Sequence, residues 1–310
     1  MEPAPLVPPG ESGLPAIAVL FNPTAQRRRS LRGTAPVSQR LLARGRPIAL
    51  IAGDGPADAI RQCRSALAGG VDALVAVGGD GTVHIGLQAV AGTGVPFGIV
   101  PAGTGNDIAA GFGVPADPDA AADHIAAALD AGRTRTVDLG RIEMADGQVR
   151  WFAGVLGAGF DAIVNERANR MRYPRGPRRY DLAILAELVR LRPRRYALEL
   201  DGRRLDPDAV LVAVGNTARY GGGFRICPAA DPTDGQLDVV VGGRFSRTGL
   251  LRILPHVRRG SHLGRPMVTA YRAGTVRIEA AGIIGYADGE RVGPLPFTVT
   301  AVPDALILLG

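Results

Sequence analysis

The first part of the chain alternates short apolar runs with longer stretches in which apolar residues recur at helical spacing. The short runs predict buried strands, and the longer stretches predict helices. Strands that alternate with helices are typical of a parallel sheet with helices on both faces. We therefore predict an N-terminal doubly wound α/β domain over residues 14–136. Its predicted strands are 16–21, 48–52, 73–77 and 97–100, and its predicted helices are 57–68 and 83–90.

After Thr136 the pattern changes to short apolar runs separated by Gly, Pro and Asp. Strand-rich sequence with few crossover helices is typical of antiparallel sheets and sandwiches. We therefore predict a second, C-terminal antiparallel β-sandwich-like domain over residues 137–302. Its predicted strands are 149–155, 196–200, 210–214, 237–241, 275–280 and 297–302, and its predicted helices are 161–171, 180–191 and 248–258.

A glycine-rich loop, Gly78–Thr82, joins a predicted strand to a predicted helix. Glycines let backbone N–H groups approach phosphate oxygens without a Cβ in the way, and a helix that follows adds its positive N-terminal end. Asp80 is a candidate for orienting Mg²⁺ on the phosphates. A tight strand-to-helix turn would use the same glycines, so this loop alone leaves the function open.

A second loop, Pro101–Asp107, also follows a predicted strand and precedes a helix. In doubly wound sheets, loops at the carboxyl ends of neighbouring strands converge on one ligand. Thr104 supplies a hydroxyl for a phosphate, while Asn106 and Asp107 are suited to fixing the loop or capping the helix. The two loops together predict a nucleotide site.

The formal net charge is +7, and every basic residue other than histidine is arginine. The absence of lysine excludes a Walker A site, a protein kinase active site and Schiff-base chemistry. A basic balance favours acidic partners: nucleotides, nucleic acid or an anionic membrane surface. No apolar run approaches the ~20 residues that span a bilayer, and the N-terminus lacks the features of a signal peptide. We expect a cytoplasmic protein whose membrane contact is peripheral.

The two loops in this order resemble the diacylglycerol kinase catalytic domain family, in particular its soluble bacterial lipid kinases. The resemblance covers nearly the whole chain, because further blocks follow in the family's order. They are Asn22-Pro23, Gly157-Ala-Gly-Phe-Asp161, Gly221-Gly-Gly-Phe224, Asp231-Pro-Thr-Asp-Gly-Gln236 and Asp288-Gly-Glu290. The block at 78–82 alone is shared with NAD kinases and, more loosely, with phosphofructokinases, so the ordered set carries the specificity.

The resemblance implies MgATP as phosphoryl donor and a lipid hydroxyl as acceptor, with diacylglycerol the expected substrate and phosphatidic acid the product. It also implies that residues 303–310 return to the first domain. Two departures concern the nucleotide contacts: no glycine follows Asn22-Pro23, and His84 and Ile85 stand where relatives often carry Asn-Glu. The implied nucleotide contacts are Asn22, Pro23, Gly78, Gly79, Asp80, Gly81, Thr82, Gly103, Thr104, Asn106 and Asp107.

Asp288-Gly289-Glu290 places two carboxylates in a glycine-containing turn. Attack by a lipid hydroxyl on a phosphate benefits from a base within hydrogen-bond reach. Asp-Gly is also a strong hairpin-turn signal, and the segment taken alone is more typical of a solvated turn. Relatives place their catalytic base in this motif, and the resemblance therefore implies Glu290 as base with Asp288 as its partner or a Mg²⁺ contact.

A second acidic turn contains Asp231, Asp234 and the carbonyl of Gln236, whose oxygens at short spacing suit Mg²⁺ or Ca²⁺. Relatives carry a structural Mg²⁺ at the corresponding loop. A turn capped by its own side chains would need no metal. The expected role of a metal here is structural rather than catalytic.

Arginines are concentrated in residues 167–195, with tyrosines and leucines interleaved. A solvated face and docking to anionic lipid headgroups both fit this composition. Nucleic-acid binding is disfavoured because few aromatic residues are available for base stacking. The arginines are Arg167, Arg170, Arg172, Arg175, Arg178, Arg179, Arg190, Arg192, Arg194 and Arg195.

These observations together predict an ATP-dependent, Mg²⁺-requiring lipid kinase associated with an anionic membrane surface. A homo-oligomer is compatible with the sequence. The alternatives are a kinase related to NAD kinases, for which no second signature is found, and a non-catalytic nucleotide or lipid sensor. Asp80, Asp288 and Glu290 argue against the sensor, because a sensor has no need of catalytic carboxylates.

Overall fold

The computed structural model describes residues 16–22, 38–40, 45–171, 173 and 178–310. Pro23, Arg172 and Arg175 lie outside these residues. The helices are α1 (Pro56–Ala68), α2 (Asp80–Val90), α3 (Asp107–Gly111), α4 (Pro118–Ala131), α5 (Phe160–Arg170), α6 (Arg178–Val189) and α7 (Arg247–Arg259). The strands are β1 (Ile17–Phe21), β2 (Ile48–Ile51), β3 (Ala73–Gly78), β4 (Phe97–Pro101), β5 (Thr134–Met144), β6 (Val149–Phe152), β7 (Val155–Gly159), β8 (Arg194–Arg195), β9 (Ala197–Leu200), β10 (Arg203–Leu205), β11 (Asp208–Ala209), β12 (Leu211–Gly215), β13 (Leu237–Gly242), β14 (Val268–Ala273), β15 (Thr275–Glu279), β16 (Ile284–Ala287), β17 (Glu290–Pro294) and β18 (Phe297–Leu309).

The chain divides into two compact units. The first takes the described residues as far as Val137 together with Asp304–Gly310, and the second takes Asp138–Pro303. Strand β18 therefore begins in the second unit and ends in the first.

The first unit is built on a parallel sheet in the order β2-β1-β3-β4-β18. Its strands are almost continuously apolar because helices cover both faces, as in doubly wound folds. Helix α1 packs against α2, and α4 lies against β4, where Gly98 leaves room for the Ile125 side chain. The chain leaves β1 toward one side for β2 and returns on the other side for β3. The topological switch point, where such sheets bind ligands, therefore lies between the carboxyl ends of β1 and β3.

The second unit contains two antiparallel arrays of strands. One follows the order β14-β13-β12-β7-β16-β17, and the other includes β10-β9-β15 and the start of β18. Alternate side chains of both arrays, among them Leu156, Val214, Leu198, Ile278 and Val299, form one buried cluster. The arrangement is the sandwich-like fold that the sequence predicts, and the predicted fold class is confirmed.

The structure corrects several predicted boundaries. Helix α2 begins at Asp80, not at residue 83, since the glycine loop turns into the helix at Gly79. The predicted strand 149–155 divides at Ala153–Gly154 into β6 and β7. Helix α4 and the hairpin of β16 and β17 have no counterpart among the predicted elements.

Candidate active site

The candidate nucleotide site of the first unit lies at the carboxyl edge of its sheet. Asn22 follows β1, Gly79 follows β3, and Ala102 begins the loop that follows β4. These strands are neighbours in parallel register, with Phe21 beside Val77. The fold therefore brings Asn22 and the two glycine loops to the same edge of the sheet.

The two glycine loops touch each other directly. The backbone N–H of Ala102 donates to the carbonyl of Gly78 at 2.9 Å. A Cβ on Gly103 would collide with the backbone of Gly79, and a Cβ on Gly79 would lie 3.1 Å from the Gly103 Cα. Glycine is therefore needed at both positions for the loops to approach, which leaves their backbones uncovered for a ligand.

Asp80 connects the two loops through its side chain. It lies in the first turn of α2, where the helix dipole stabilises a negative charge. Its Oδ1 accepts a hydrogen bond of 3.0 Å from the backbone N–H of Ile108 in α3, and its Oδ2 lies near Gly105. The carboxylate thus ties the start of one helix to the start of the next.

The remaining loop residues divide into those that shape the loop and those that a ligand reaches. Asn106 has a left-handed backbone (φ 57°), and its side chain bonds both the N–H and the carbonyl of Gly103, at 3.0 and 3.2 Å. Thr82 is 6% exposed, and its side chain lies over Gly78. Asp107 is buried, whereas Thr104 is exposed. Of the two hydroxyls, that of Thr104 is therefore the one open to a phosphate.

The Asp288-Gly289 turn closes the hairpin of β16 and β17 in the second unit. Both residues have positive φ (53° and 82°), the conformation of tight two-residue hairpin turns. The Asp288 carboxylate points inward: its Oδ2 accepts from the Ala153 N–H at 3.0 Å and its Oδ1 from the Gly154 N–H at 2.8 Å. Asp288 is therefore an anchor of the turn.

Glu290 differs from Asp288 in the exposure of its side chain and in its hydrogen bonding, the two properties that matter for proton transfer. Its side chain is exposed at the start of β17, and it makes no hydrogen bond or ion pair with any residue that the structure describes. The resemblance implies Asp288 as a partner of Glu290 or as a Mg²⁺ contact, whereas in the structure the Asp288 carboxylate accepts from backbone N–H groups and only Glu290 projects. The reason is that the backbone N–H groups of the β6–β7 junction capture Asp288.

Both carboxylates of the acidic turn at 231–236 already have hydrogen-bond or ion-pair partners. Asp231 accepts from the N–H and the hydroxyl of Thr233. Asp234 accepts from the Gln236 N–H and forms an ion pair with Arg272. A cation bound by Asp234 would have to displace Arg272, so these residues as placed do not fit a metal. Among the described residues, no cluster of three or more acidic, His or Cys side chains is arranged to hold one.

Comparison with known proteins identifies the family. The model of the diacylglycerol kinase catalytic domain matches residues 16–142, and that of the YegS C-terminal NAD kinase β-sandwich-like domain matches residues 154–310. A protein named diacylglycerol kinase from Mycobacterium tuberculosis H37Rv is 45% identical over 295 residues, which cover 94% of each chain. The chain belongs to the diacylglycerol kinase family.

A second curated protein and two solved structures are similar to the chain over nearly its whole length. A diacylglycerol kinase from Bacillus subtilis strain 168 is 25% identical over 285 residues, covering 90% of each chain. Two solved chains from Bacillus anthracis str. Sterne superpose with TM-scores of 0.74 and 0.67, at 21% and 19% identity, over 96% of this chain and 98% of theirs. At that identity the solved structures show the fold alone.

Membership in the diacylglycerol kinase family decides between the functional alternatives. The chain is a kinase, so the non-catalytic sensor is set aside. The only support for the NAD-kinase alternative is that the fold of the second unit resembles the NAD kinase β-sandwich. The catalytic-domain match and the named relatives are lipid kinases. None of the helices in the described part of the chain is long and apolar enough to cross a membrane.

Asp161 carries a buried carboxylate, and nothing in the sequence of this diacylglycerol kinase family member reveals that burial. It is the second residue of α5, and a Cβ on Gly157 would collide with its carboxylate. Its Oδ1 is buried and has no partner among the described residues. Burial raises the pKa of Asp161 to about 7, although the N–H groups of Asp161 and Ala162 lower it in part.

We expect Asp161→Asn to stabilise the protein, and more so at higher pH. The pKa of Asp161 is about 7 in the folded state and its ordinary value is 3.8. Between these values the folded state holds a proton that the unfolded state has lost. Its stability therefore falls with rising pH, by up to about 1.4 kcal/mol per pH unit, and Asn removes this loss. Thermal unfolding of both proteins from pH 4 to pH 8 tests it: a difference in Tm that does not change with pH contradicts the assignment.

Proposed function

We propose that this family member transfers the γ-phosphoryl group of MgATP to the hydroxyl of diacylglycerol and forms phosphatidic acid. The observation that carries the proposal is the contact between the two glycine loops with Asp80 joining them. This arrangement places the glycine backbone of both loops beside one carboxylate, a setting suited to phosphates and a cation. The identity of the lipid follows the names of the relatives.

The first unit supplies the nucleotide site in this proposal. The backbones of Gly79 and Gly103 approach the phosphates, Thr104 donates its hydroxyl to one of them, and Asn22 closes the site at the end of β1. Mg²⁺ in kinase sites is held by one or two carboxylates and by phosphate oxygens, which fits Asp80. When bound, the cation neutralises phosphate charge. We propose residues 14–136 with 303–310 as the nucleotide-binding domain and 137–302 as the lipid-binding domain.

The second unit supplies the base. Glu290 accepts the proton of the lipid hydroxyl while the hydroxyl oxygen forms a bond to the γ-phosphorus and the bond to the ADP oxygen breaks. The side chain of Glu290 is exposed and has no partner among the described residues, so its carboxylate is available for this role. Asp288 holds the turn that carries Glu290.

A phosphate-transfer screen tests the proposed acceptor. ATP with a radiolabelled γ-phosphate is offered with vesicles that contain one lipid each: diacylglycerol, monoacylglycerol, a sphingoid base or a prenol. NAD is included as the acceptor of the nearest enzymatic alternative. The proposal expects the highest kcat/KM for diacylglycerol, and a labelled product from NAD alone would overturn it.

We further propose that the protein docks on an anionic membrane surface through helix α6 and the segment that follows it. Leu182, Leu185 and Val189 are 46%, 56% and 67% exposed, and their spacing places them on one side of the helix. Arg190 and Arg192 come directly after and are exposed, with no carboxylate in ion-pair distance among the described residues. Apolar side chains flanked by unpaired cations are typical of interfacial helices. The side chains of residues 178–181 are not among those described.

Replacing the three exposed apolar side chains of α6 with serine should weaken binding to phosphatidylglycerol vesicles by about tenfold or more, because each loses apolar burial in the lipid. Leu50→Ser is the matched control, since Leu50 is 59% exposed in the first unit. Sedimentation at low and high salt separates the apolar contribution to binding from the electrostatic one, because salt screens only the charges of the arginines. Equal binding of the triple variant and the control would remove α6 from the docking surface.

A further inference from the structure

The junction between β6 and β7 is held from two sides. The N–H groups of Ala153 and Gly154 donate to the carboxylate of Asp288, at 3.0 and 2.8 Å. The carbonyl of Gly154 accepts from the N–H groups of Asn216 and Thr217, at 2.9 and 3.1 Å. The junction is thus the shared support of the Asp288 turn and of the segment after β12.

Asn216 adds side-chain contacts to this support. Its Nδ2 donates to the carbonyl of Ala153 at 3.0 Å and to the carbonyl of Asp138 at 2.9 Å. The residue is 0% exposed, and its Oδ1 has no partner among the described residues. The side-chain amide of Asn216 therefore acts through its two N–H donors, which hold the backbone at Ala153 and at Asp138.

Gly154 shows how closely the anchor fits. A Cβ at this position would lie 2.8 Å from Asp288 Oδ1, so the carboxylate fills the space that a side chain would take. The Asp288 N–H also donates to the carbonyl of Val155 at 3.2 Å. Any shift of the junction therefore moves Asp288, and with it the turn that leads into Glu290.

We propose that Asn216 is a positioning residue for catalysis, which acts on Glu290 through Ala153, Gly154 and Asp288. The proposal rests on the function proposed above, in which Glu290 is the base. A base displaced by about 1 Å loses on the order of 100-fold in rate. Asn216 belongs to the second unit and the glycine loops belong to the first, so its effect should fall on turnover and spare the affinity for ATP.

Asn216→Ala should lower kcat for diacylglycerol phosphorylation by about 10–100-fold while KM for ATP changes less than about twofold. Asn216→Asp keeps the size and removes the Nδ2 donors, so it should be impaired at least as much. Tyr196→Phe is the matched control: Tyr196 is 0% exposed and donates one hydrogen bond of 3.0 Å to the carbonyl of Ala158 in β7. It should lower Tm and leave kcat within about twofold of wild type.

A double-mutant cycle with Asp288→Asn separates positioning from a general loss of stability. If Asn216 acts through Asp288, the double variant should have about the same kcat as the more impaired single variant. Fully multiplied effects would overturn the proposal, and so would an Asn216→Ala protein that keeps normal kcat. All assays are run well below the Tm of each variant, and circular dichroism verifies that each is folded. If Asn216→Ala does not fold, Asn216→Ser takes its place in the cycle.

The outcomes also distinguish this proposal from the function on which it rests. If the wild-type protein phosphorylates no lipid, the proposed function fails, and the positioning role that rests on it fails with it. If the wild type is active and Asp288→Asn or Glu290→Gln lowers kcat while Asn216→Ala does not, the function stands and the positioning role of Asn216 is wrong.

Discussion

Asp80→Ala is expected to lower kcat by about 100-fold or more, the larger of its effects being on turnover and not on folding. The substitution removes the carboxylate that would hold Mg²⁺ on the phosphates, and it releases the N–H of Ile108 from its 3.0 Å hydrogen bond. Both changes act on phosphate positioning, which supplies most of the catalysis in phosphoryl transfer. Steady-state kinetics over a range of Mg²⁺ concentrations measures the effect.

Asp80→Asn is the control that separates the two roles of this side chain. The amide oxygen still accepts from Ile108, so the loops stay joined, but the negative charge is gone. If the charge holds Mg²⁺, Asn should raise the Mg²⁺ concentration needed for half-maximal rate. An Asp80→Ala protein whose kcat stays within a few-fold of wild type would show that the assigned role of Asp80 is wrong.

Glu290→Gln should lower kcat by about 10²–10⁴-fold, the usual contribution of a general base. Glutamine keeps the shape of the side chain and loses its basicity. Because Glu290 is exposed and has no partner among the described residues, Tm and the dissociation constants of ATP and lipid should not change. Kinetics, thermal unfolding and vesicle binding are measured on the same preparation.

Asp288→Asn is compared with Glu290→Gln, because Asp288 anchors the turn whereas Glu290 is the proposed base. The amide replaces one of the two oxygens that accept from Ala153 and Gly154, so one N–H loses its partner and Tm should fall along with kcat. A Glu290→Gln protein with near-normal kcat, beside an inactive Asp288→Asn protein of unchanged Tm, would exchange the two roles. If neither substitution matters, the segment is only a turn.

The sequence predicts those parts of the site that follow from local pattern and general topology. The glycine loops after β3 and β4 are visible as motifs, and the rule for doubly wound sheets brings them together. The structure adds the contact between Gly79 and Gly103 and the bond from Asp80 to Ile108, which depend on packing. Helix α4 is signalled by Asp117 before Pro118, an N-cap followed by the preferred first residue, so it lies within reach of sequence analysis.

The orientation of Asp288 lies beyond such analysis. Its partners, Ala153 and Gly154, are more than 130 residues earlier in the chain, and an Asp-Gly turn by itself gives no sign of which way the carboxylate points. Asn216 has no local signal either, because its role comes from the carbonyls of Asp138 and Ala153, which lie far from it in the sequence. Long-range contacts of this kind require the folded chain.

Phosphoryl transfer to diacylglycerol is measured by the product that forms from ATP with a radiolabelled γ-phosphate and vesicles that contain diacylglycerol. We expect labelled phosphatidic acid, formed only when ATP, Mg²⁺ and diacylglycerol are all present, and formed about 10²–10⁴-fold more slowly by Glu290→Gln. Label found only in inorganic phosphate, or transferred to NAD but to no lipid, would contradict it.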